Sequence, residues 1–323
     1  MFKRHYFLSI LSCCAAAAAF GISTASGQNY PSRPIRIVTA PAGSGADITT
    51  RVIARAITEA LGQPIVVDNR PGGVIPGQLV SQSAPDGYTL LYSGSSFWNG
   101  VLLRKSTPYH PVRDFQPIIQ TIRQPGLLVV PAALPVKSVK DLIALAKARP
   151  RELNYATVTL GSLNHLSAEL LQSMAGVELQ RIDYKGGAQM ATDLIAGHVQ
   201  VMFGSMNLAY PHAKSGKLRA LGVTTAQPTE LMPGLPTIAE TLPGYESVSN
   251  AGIFAPAKTP RAIVDRLNQE IGRVLFRPEV KEKLVADGSE AIGGSRQQFE
   301  SAIKSEMATI AKLIKDRGIS VEE

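Results

Sequence analysis

Cysteine is nearly absent from this 323-residue chain: it has two, Cys13 and Cys14, both in an apolar N-terminal stretch. If that stretch is removed, neither a disulfide nor a catalytic thiol remains. Histidine is sparse too. His5, His110, His165, His198 and His212 show no metal-ligand spacing such as HxH or HExxH, so no metal site is indicated. No GxSxG occurs, although Ser44 and Ser95-Ser96 lie among glycines, so no nucleophile elbow is indicated. There is no basic run of five or more residues and the formal charge is a modest +8, which argues against a nucleic-acid partner. No apolar run reaches the roughly 18 residues of a membrane span. The chain thus carries no signature of a catalyst, a cofactor or a metal. What it does contain is ordinary for a folded protein, with 45% hydrophobic and 18% charged residues, which excludes disordered, collagenous and low-complexity classes. At about 100 to 200 residues per domain, its length suggests two domains.

Residues 1–27 read as a secretory signal peptide. Lys3, Arg4 and His5 form a charged start, Tyr6 to Phe20 an apolar stretch, and Ala25-Ser26-Gly27 a small-residue cleavage site. Cleavage after Gly27 leaves 31 basic against 25 acidic residues and predicts a soluble protein outside the cytoplasm. A lipoprotein anchored at Cys13 is the rival, but it would cut the apolar block in half and leave the alanine run outside.

Beyond Tyr30 the chain repeats a short apolar run, a glycine-bearing turn and an amphipathic segment, the pattern of strands alternating with helices. Strands are predicted over Ile35–Thr39, Ile65–Asp68 and Tyr88–Ser93. Between the first two, Ile48, Val52, Ile53, Ala56, Ile57, Ala60 and Leu61 recur at helical spacing, and Gly62 follows as a C-cap. A glycine-rich segment, Pro71 to Gly77, leads into a short helix.

A second α/β block begins near Val130, where Ser138-Val139-Lys140-Asp141 opens a helix like a capping box. Its strands are predicted over Leu153–Ala156, Val177–Tyr184, His198–Phe203 and Leu218–Thr224. Helices carrying Leu166, Leu170 and Met174, then Met190, Leu194 and Ile195, fill the gaps. After Gly252-Ile253-Phe254 come a helix opened by Thr259-Pro260 and a long terminal helix with Phe299, Ile303, Met307, Ile310 and Ile314. Two passages, near Leu127–Pro131 and Ile253–Pro256, would make the two-crossover hinge of a clamshell binding protein. The domain division is then 28–129 for the first lobe, 130–252 for the second, and 253–323 for a return to the first. A separate C-terminal domain of about 70 residues is the alternative.

Two turns carry the candidate chemistry. Ala42-Gly43-Ser44-Gly45-Ala46-Asp47 joins a strand to a helix N-terminus, where unpaired N–H groups and the helix dipole favour an anion. A tight structural turn with Asp47 serving the dipole explains the same residues. A dinucleotide site is disfavoured, because Ile48 occupies the third glycine position of the fingerprint. Gly161-Ser162-Leu163-Asn164-His165 repeats the design in the second block, with Ser162 as a plain N-cap and His165 as a partly buried histidine the simpler alternatives. Across a cleft the two turns would present N–H donors to one carboxylate. Trp98, beside Phe97 and Asn99, is either core or a stacking face at the cleft mouth.

These residues resemble the periplasmic solute receptors of tripartite tricarboxylate transporters, often called Bug receptors. The carriers run from Tyr30 to about Ile319. They are Tyr30-Pro31-Ser32-Arg33-Pro34-Ile35, Gly43-Ser44-Gly45-Ala46-Asp47, Gly62-Gln63-Pro64, Asn69-Arg70-Pro71-Gly72, Ala84-Pro85-Asp86-Gly87-Tyr88-Thr89-Leu90, Asp114-Phe115, Leu153-Asn154-Tyr155, Gly161-Ser162 with His165, Tyr184-Lys185-Gly186-Gly187 and Gly216-Lys217-Leu218-Arg219-Ala220. The resemblance implies an α/β, two-lobed periplasmic-binding-protein (Venus flytrap) fold with two hinge crossovers. It implies a non-enzymatic, monomeric receptor that captures a small carboxylate and delivers it to integral membrane permease subunits. A receptor feeding a signalling system and a secreted α/β hydrolase are the other readings.

The resemblance places ligand contacts on Ala42, Ser44, Gly45 and Asp47, on Gly161, Ser162 and His165, and near Ser95. The ligand-binding set is completed by Ala40, Gly43 and Ala46, by Trp98, and by Gly204 and Ser205. The chain departs from the family pattern at Thr39-Ala40, where Pro-Phe is common, at Asp183, where Pro is common, and at Gly204, where Asp is common. Ala40 and Gly204 would widen the pocket toward an aromatic or bulky acid, with Trp98 and Phe97 as stacking face, unless Leu160 or Met206 refills the space.

Overall fold

A computed structural model describes residues 30–158 and 161–319. The signal-peptide reading, Cys13, Cys14 and Leu160 lie outside the described residues.

The first strands are β1 (Ile35–Thr39), β2 (Ile65–Asn69) and β3 (Thr89–Gly94), with β1 parallel to both others. Helix α1 (Gly45–Leu61) follows β1 and ends where Gly62, at φ +65°, donates its N–H to the Thr58 carbonyl. Helices α2 (Ile75–Ser81) and α3 (Ser95–Asn99) follow β2 and β3. The long strand β4 (Phe115–Pro131) comes next. The second group holds α4 (Val139–Ala148), β5 (Asn154–Thr157), α5 (Leu163–Ala175), β6 (Gln180–Asp183), α6 (Gly187–Ala196), β7 (Val201–Ser205), α7 (Met206–Lys214) and β8 (Leu218–Val223). Strand β9 (Val248–Pro256), α8 (Arg261–Leu275), α9 (Pro278–Ala286), β10 (Glu290–Gly293) and α10 (Arg296–Arg317) finish the described chain.

Strand β4 joins the two lobes. Its first part, Phe115 to Pro125, pairs antiparallel with β9, and Gln120 to Arg123 face β10. From Gly126 onward it pairs with β7 and β8 instead. Strand β4 therefore exchanges its pairing partners at Pro125/Gly126. Strand β9, which begins at Val248, inserts between β3 and β4. In the C-terminal segment β10 pairs with β4, and α8 packs on α1 and β4.

Leu127, Leu128, Val129 and Val130 of β4 are all fully buried. Leu128 and Val130 enter one core with Tyr155, Phe203 and Leu221; Leu127 and Val129 enter another with Ala156, Met202 and Val223. That alternation is what a strand covered on both faces requires. The expected strand over Val177–Tyr184 shrinks to β6. Gly176 ends α5 in the left-handed region, Val177 donates to the Gln172 carbonyl and Leu179 to the Gln172 side chain. The N–H groups of Val177 and Leu179 are thus satisfied by a helix end rather than by a ladder, and the Glu178 carbonyl accepts from Arg151 N at 3.0 Å.

Candidate functional site

The two turns share one construction. Gly43 (φ +79°) and Gly161 (φ +77°) occupy the left-handed region that costs an L-residue about 1–2 kcal/mol. The serine after each glycine is the N-cap: Ser44 Oγ accepts from Asp47 N at 3.2 Å, and Ser162 Oγ from His165 N at 3.4 Å. The side chain one turn on reaches back to the glycine. Gly43 donates to Asp47 Oδ2 at 2.9 Å, and Gly161 to His165 Nδ1 at 3.2 Å. Helix α1 is tied to the preceding strand by Thr50 Oγ1, which donates to Thr39 Oγ1 at 3.2 Å, and the α5 cap by Ser162 Oγ, which lies 3.3 Å from Thr157 Oγ1. What stays available at each helix start is the pair of N–H groups without an intrahelical acceptor, on Gly45 and Ala46 in α1 and on Leu163 and Asn164 in α5.

Both acid–base groups in these turns are held in one state. Burial pushes the Asp47 carboxyl up, but hydrogen bonds from Asn69, Gly43 and Arg51 outweigh it and leave it below its ordinary value. Burial pushes the His165 imidazole below its ordinary value, which keeps Nδ1 free to accept from Gly161.

Both turns open on one cavity of about 630 Å³, within the roughly 300–1,000 Å³ typical of small-molecule sites. It lies off the carboxyl ends of β1, β3 and β5, the usual ligand position in α/β sheets. Gly45, Ala46, Ser95, Gly161 and Ser162 are on its wall. The wall's only cation among the described residues is Arg123, and Glu290 engages it through Nε at 2.8 Å and Nη2 at 2.6 Å. An anion here would be held by backbone N–H groups and helix dipoles rather than by a free cationic side chain.

Other expected ligand residues stand off the wall. Gly43, Ser44, Asp47 and His165 shape the turns from behind, through the caps and back-bonds above, and Ala42 is likewise off the wall. Ala40 uses its carbonyl to accept from Asn69 Nδ2 at 2.8 Å. Trp98 is corrected to core: it is 0% exposed and packs on Phe254 and Phe299 at 6.0 Å, and Phe97 stacks on Tyr109 at 5.0 Å. Gly204 is buried in β7, where a Cβ would meet the Ala209 Cβ at 2.9 Å, so a missing carboxylate there leaves no room in the cavity. Ser205 caps α7 and donates to Asn207 Oδ1 at 2.6 Å. Met206 is buried core. The widened aromatic pocket therefore loses each of its described supports.

The wall also carries groups that sequence reasoning missed, above all Gln120, Asn250, Asn99 and Glu306. Gln120 Nε2 donates to Asn250 Oδ1 at 2.8 Å, Asn250 Nδ2 to Glu306 Oε2 at 3.0 Å, and Asn99 Nδ2 to Glu306 Oε1 at 2.7 Å. One signal for Glu306 was present: Phe299, Ile303, Glu306, Ile310 and Leu313 step by 4-3-4-3, so an acid stands on the stripe that α10 buries.

A family model described as tripartite tricarboxylate transporter family receptor matches residues 49–319. The chain belongs to that family. It is a family of solute-binding receptors, not of enzymes, and its members bind small carboxylates and work with a transporter. Protein BugT of Bordetella pertussis is 34% identical over 321 residues, covering 98% of each chain. The structure of Rpa4515 from Rhodopseudomonas palustris with adipate is 38% identical with a TM-score of 0.76, covering 90% of this chain and 99% of that one. MatC of the same organism, with bound malate, is 26% identical with a TM-score of 0.72, covering 88% and 100%. Among the described residues of this receptor no group of three or more His, Cys, Asp or Glu side chains is gathered as for a metal. No described helix is long and apolar enough to cross a membrane.

Proposed function

We propose that this receptor binds one small carboxylate in the cavity between its lobes and hands it to the membrane subunits of a tripartite tricarboxylate-type permease. The observation that carries the reading is the duplicated turn. One Gly-Ser cap from each lobe, 43–47 and 161–165, opens a helix onto the same cavity, whose one cation among the described residues, Arg123, is already paired. Donors at helix N-termini suit a carboxylate, and the relatives crystallised with adipate and malate carry such ligands. Among the described residues, 30–125 and 248–319 belong to the first lobe and 126–247 to the second, and the receptor acts as a monomer in the periplasm. It arrives there through a leader cut after Gly27, so the intact mass of the exported protein begins at Gln28; retention of Cys13 with acyl chains overturns this.

A thermal-shift screen of mono- and dicarboxylates identifies the ligand, since a molecule that binds only the native state raises its apparent stability. Gly45→Asp then tests the site. Gly45 has ordinary φ and open space around its missing Cβ, so the substitution adds a negative charge to the wall without a clash. Affinity falls by about 100-fold, roughly 2.7 kcal/mol. Unchanged affinity places the ligand elsewhere.

A further inference from the structure

Glu306 is a carboxyl group on the wall of the cavity proposed to hold a carboxylate, and among the described residues no free cation lines that wall with it. From α10 it points between α3 and β9, each oxygen accepting one amide N–H, from Asn99 and from Asn250. Ile310, one turn further along α10, packs on Leu166, one turn inside the helix that Ser162 caps. The acid therefore shares the cavity with the second-lobe turn. The charged groups on neighbouring elements are otherwise engaged. Arg123 of β4 is taken by Glu290 of β10, and Glu169 of α5 by Arg317. His165 of α5 is kept neutral by burial, α3 has no charged residue, and Glu246 sits exposed at the rim. On α10 itself Lys304 pairs with Glu300, and Lys312 with Asp316.

We propose that Glu306 determines which carboxylates the cleft accepts: an acid with a second carboxylate at its far end binds together with one proton taken from solvent onto Glu306, whereas a monocarboxylate binds without one. The inference rests on the carboxylate-receptor reading above. When two carboxylates share a site, one is pushed strongly toward its protonated form, and the described wall has no free cation to separate them. Protonated Glu306 instead donates its O–H to the distal carboxylate of the ligand. Burial, opposed by the hydrogen bonds from Asn250, Ser95 and Asn99, already holds this carboxyl above its ordinary value of 4.5. The folded state thus binds the proton more tightly than the unfolded chain does. The stability this confers is full below pH 4.5 and is lost as pH rises through the raised value.

The test is titration calorimetry of the full mature receptor with hexanoate and adipate, acids of equal length and different charge, in phosphate and Tris at several pH values. Above the titration of Glu306, adipate binding takes up a proton and weakens about tenfold per pH unit. Hexanoate binding takes up none. Glu306→Gln binds adipate without proton uptake and without that slope, and its ligand-free stability no longer falls above pH 4.5. Adipate binding to the wild type with no proton uptake overturns the proposal, and that measurement needs no variant. Equal uptake in Glu306→Gln overturns it too. So does binding of hexanoate when adipate, succinate and malate all fail even at pH 5.5. Failure of every mono- and dicarboxylate sinks the receptor reading itself, and this inference with it.

Discussion

Gly43 and Gly161 show how one residue type does two jobs in matching turns. Both have left-handed φ, but a Cβ on Gly43 meets nothing within 4 Å, whereas one on Gly161 runs into Leu103 Cδ1. Gly43→Ala is expected to cost only the backbone penalty, about 1–2 kcal/mol. Gly161→Ala adds an overpacking penalty of about 1–3 kcal/mol and pushes the second-lobe turn away from the first. Urea unfolding and ligand affinity, measured on both variants, check the order: Gly161→Ala is the worse in each. Equal effects would mean that Leu103 yields freely. At this scale the sequence was a good guide to the turns, because a glycine followed by a capping serine is a local instruction. It left Trp98 open between core and cleft, because which way that ring faces depends on distant partners such as Phe254 and Phe299.

Elements with a period or a cap were legible. Strand β1 and the end of α1 at Gly62 stand where the apolar run and the glycine put them. Ser138 caps α4 by accepting from Asp141 N at 3.1 Å, although Asp141 answers to Lys137 N at 2.9 Å instead of closing a reciprocal box on the cap. Strand β4 was missed over most of its length. Phe115 to Pro131 contains Pro117 and Pro125 and two register shifts against β9, and prolines in a run argue against a central strand. The network around Glu169 was equally invisible. Tyr155 Oη donates to it at 2.7 Å and Arg317 Nε at 2.8 Å, joining β5, α5 and the last turn of α10 from positions 162 residues apart at their widest.

At the scale of the whole molecule, two chain passages, Pro125/Gly126 and Ser247/Val248, connect lobes that a ligand would bridge. Gly126 donates its N–H to Thr224 Oγ1 at 2.7 Å and Ser247 to the Thr224 carbonyl at 2.9 Å, so both passages are pinned to one residue at the end of β8. A ligand that contacts both lobes favours the closed arrangement. Small-angle scattering should therefore show a smaller radius of gyration with saturating ligand than without, and an unchanged value would indicate a rigid cleft. The alternation of strands and helices, the duplicated Gly-Ser turns and the family they mark were all readable along the chain, because propensity, capping and amphipathic period act over a few residues. The shared cavity, the pairing that neutralises Arg123 and the polar chain from Gln120 to Glu306 were not readable. They join residues as far apart as Asn99 and Glu306, and only the packing of β4, β9 and α10 brings those side chains within hydrogen-bonding reach.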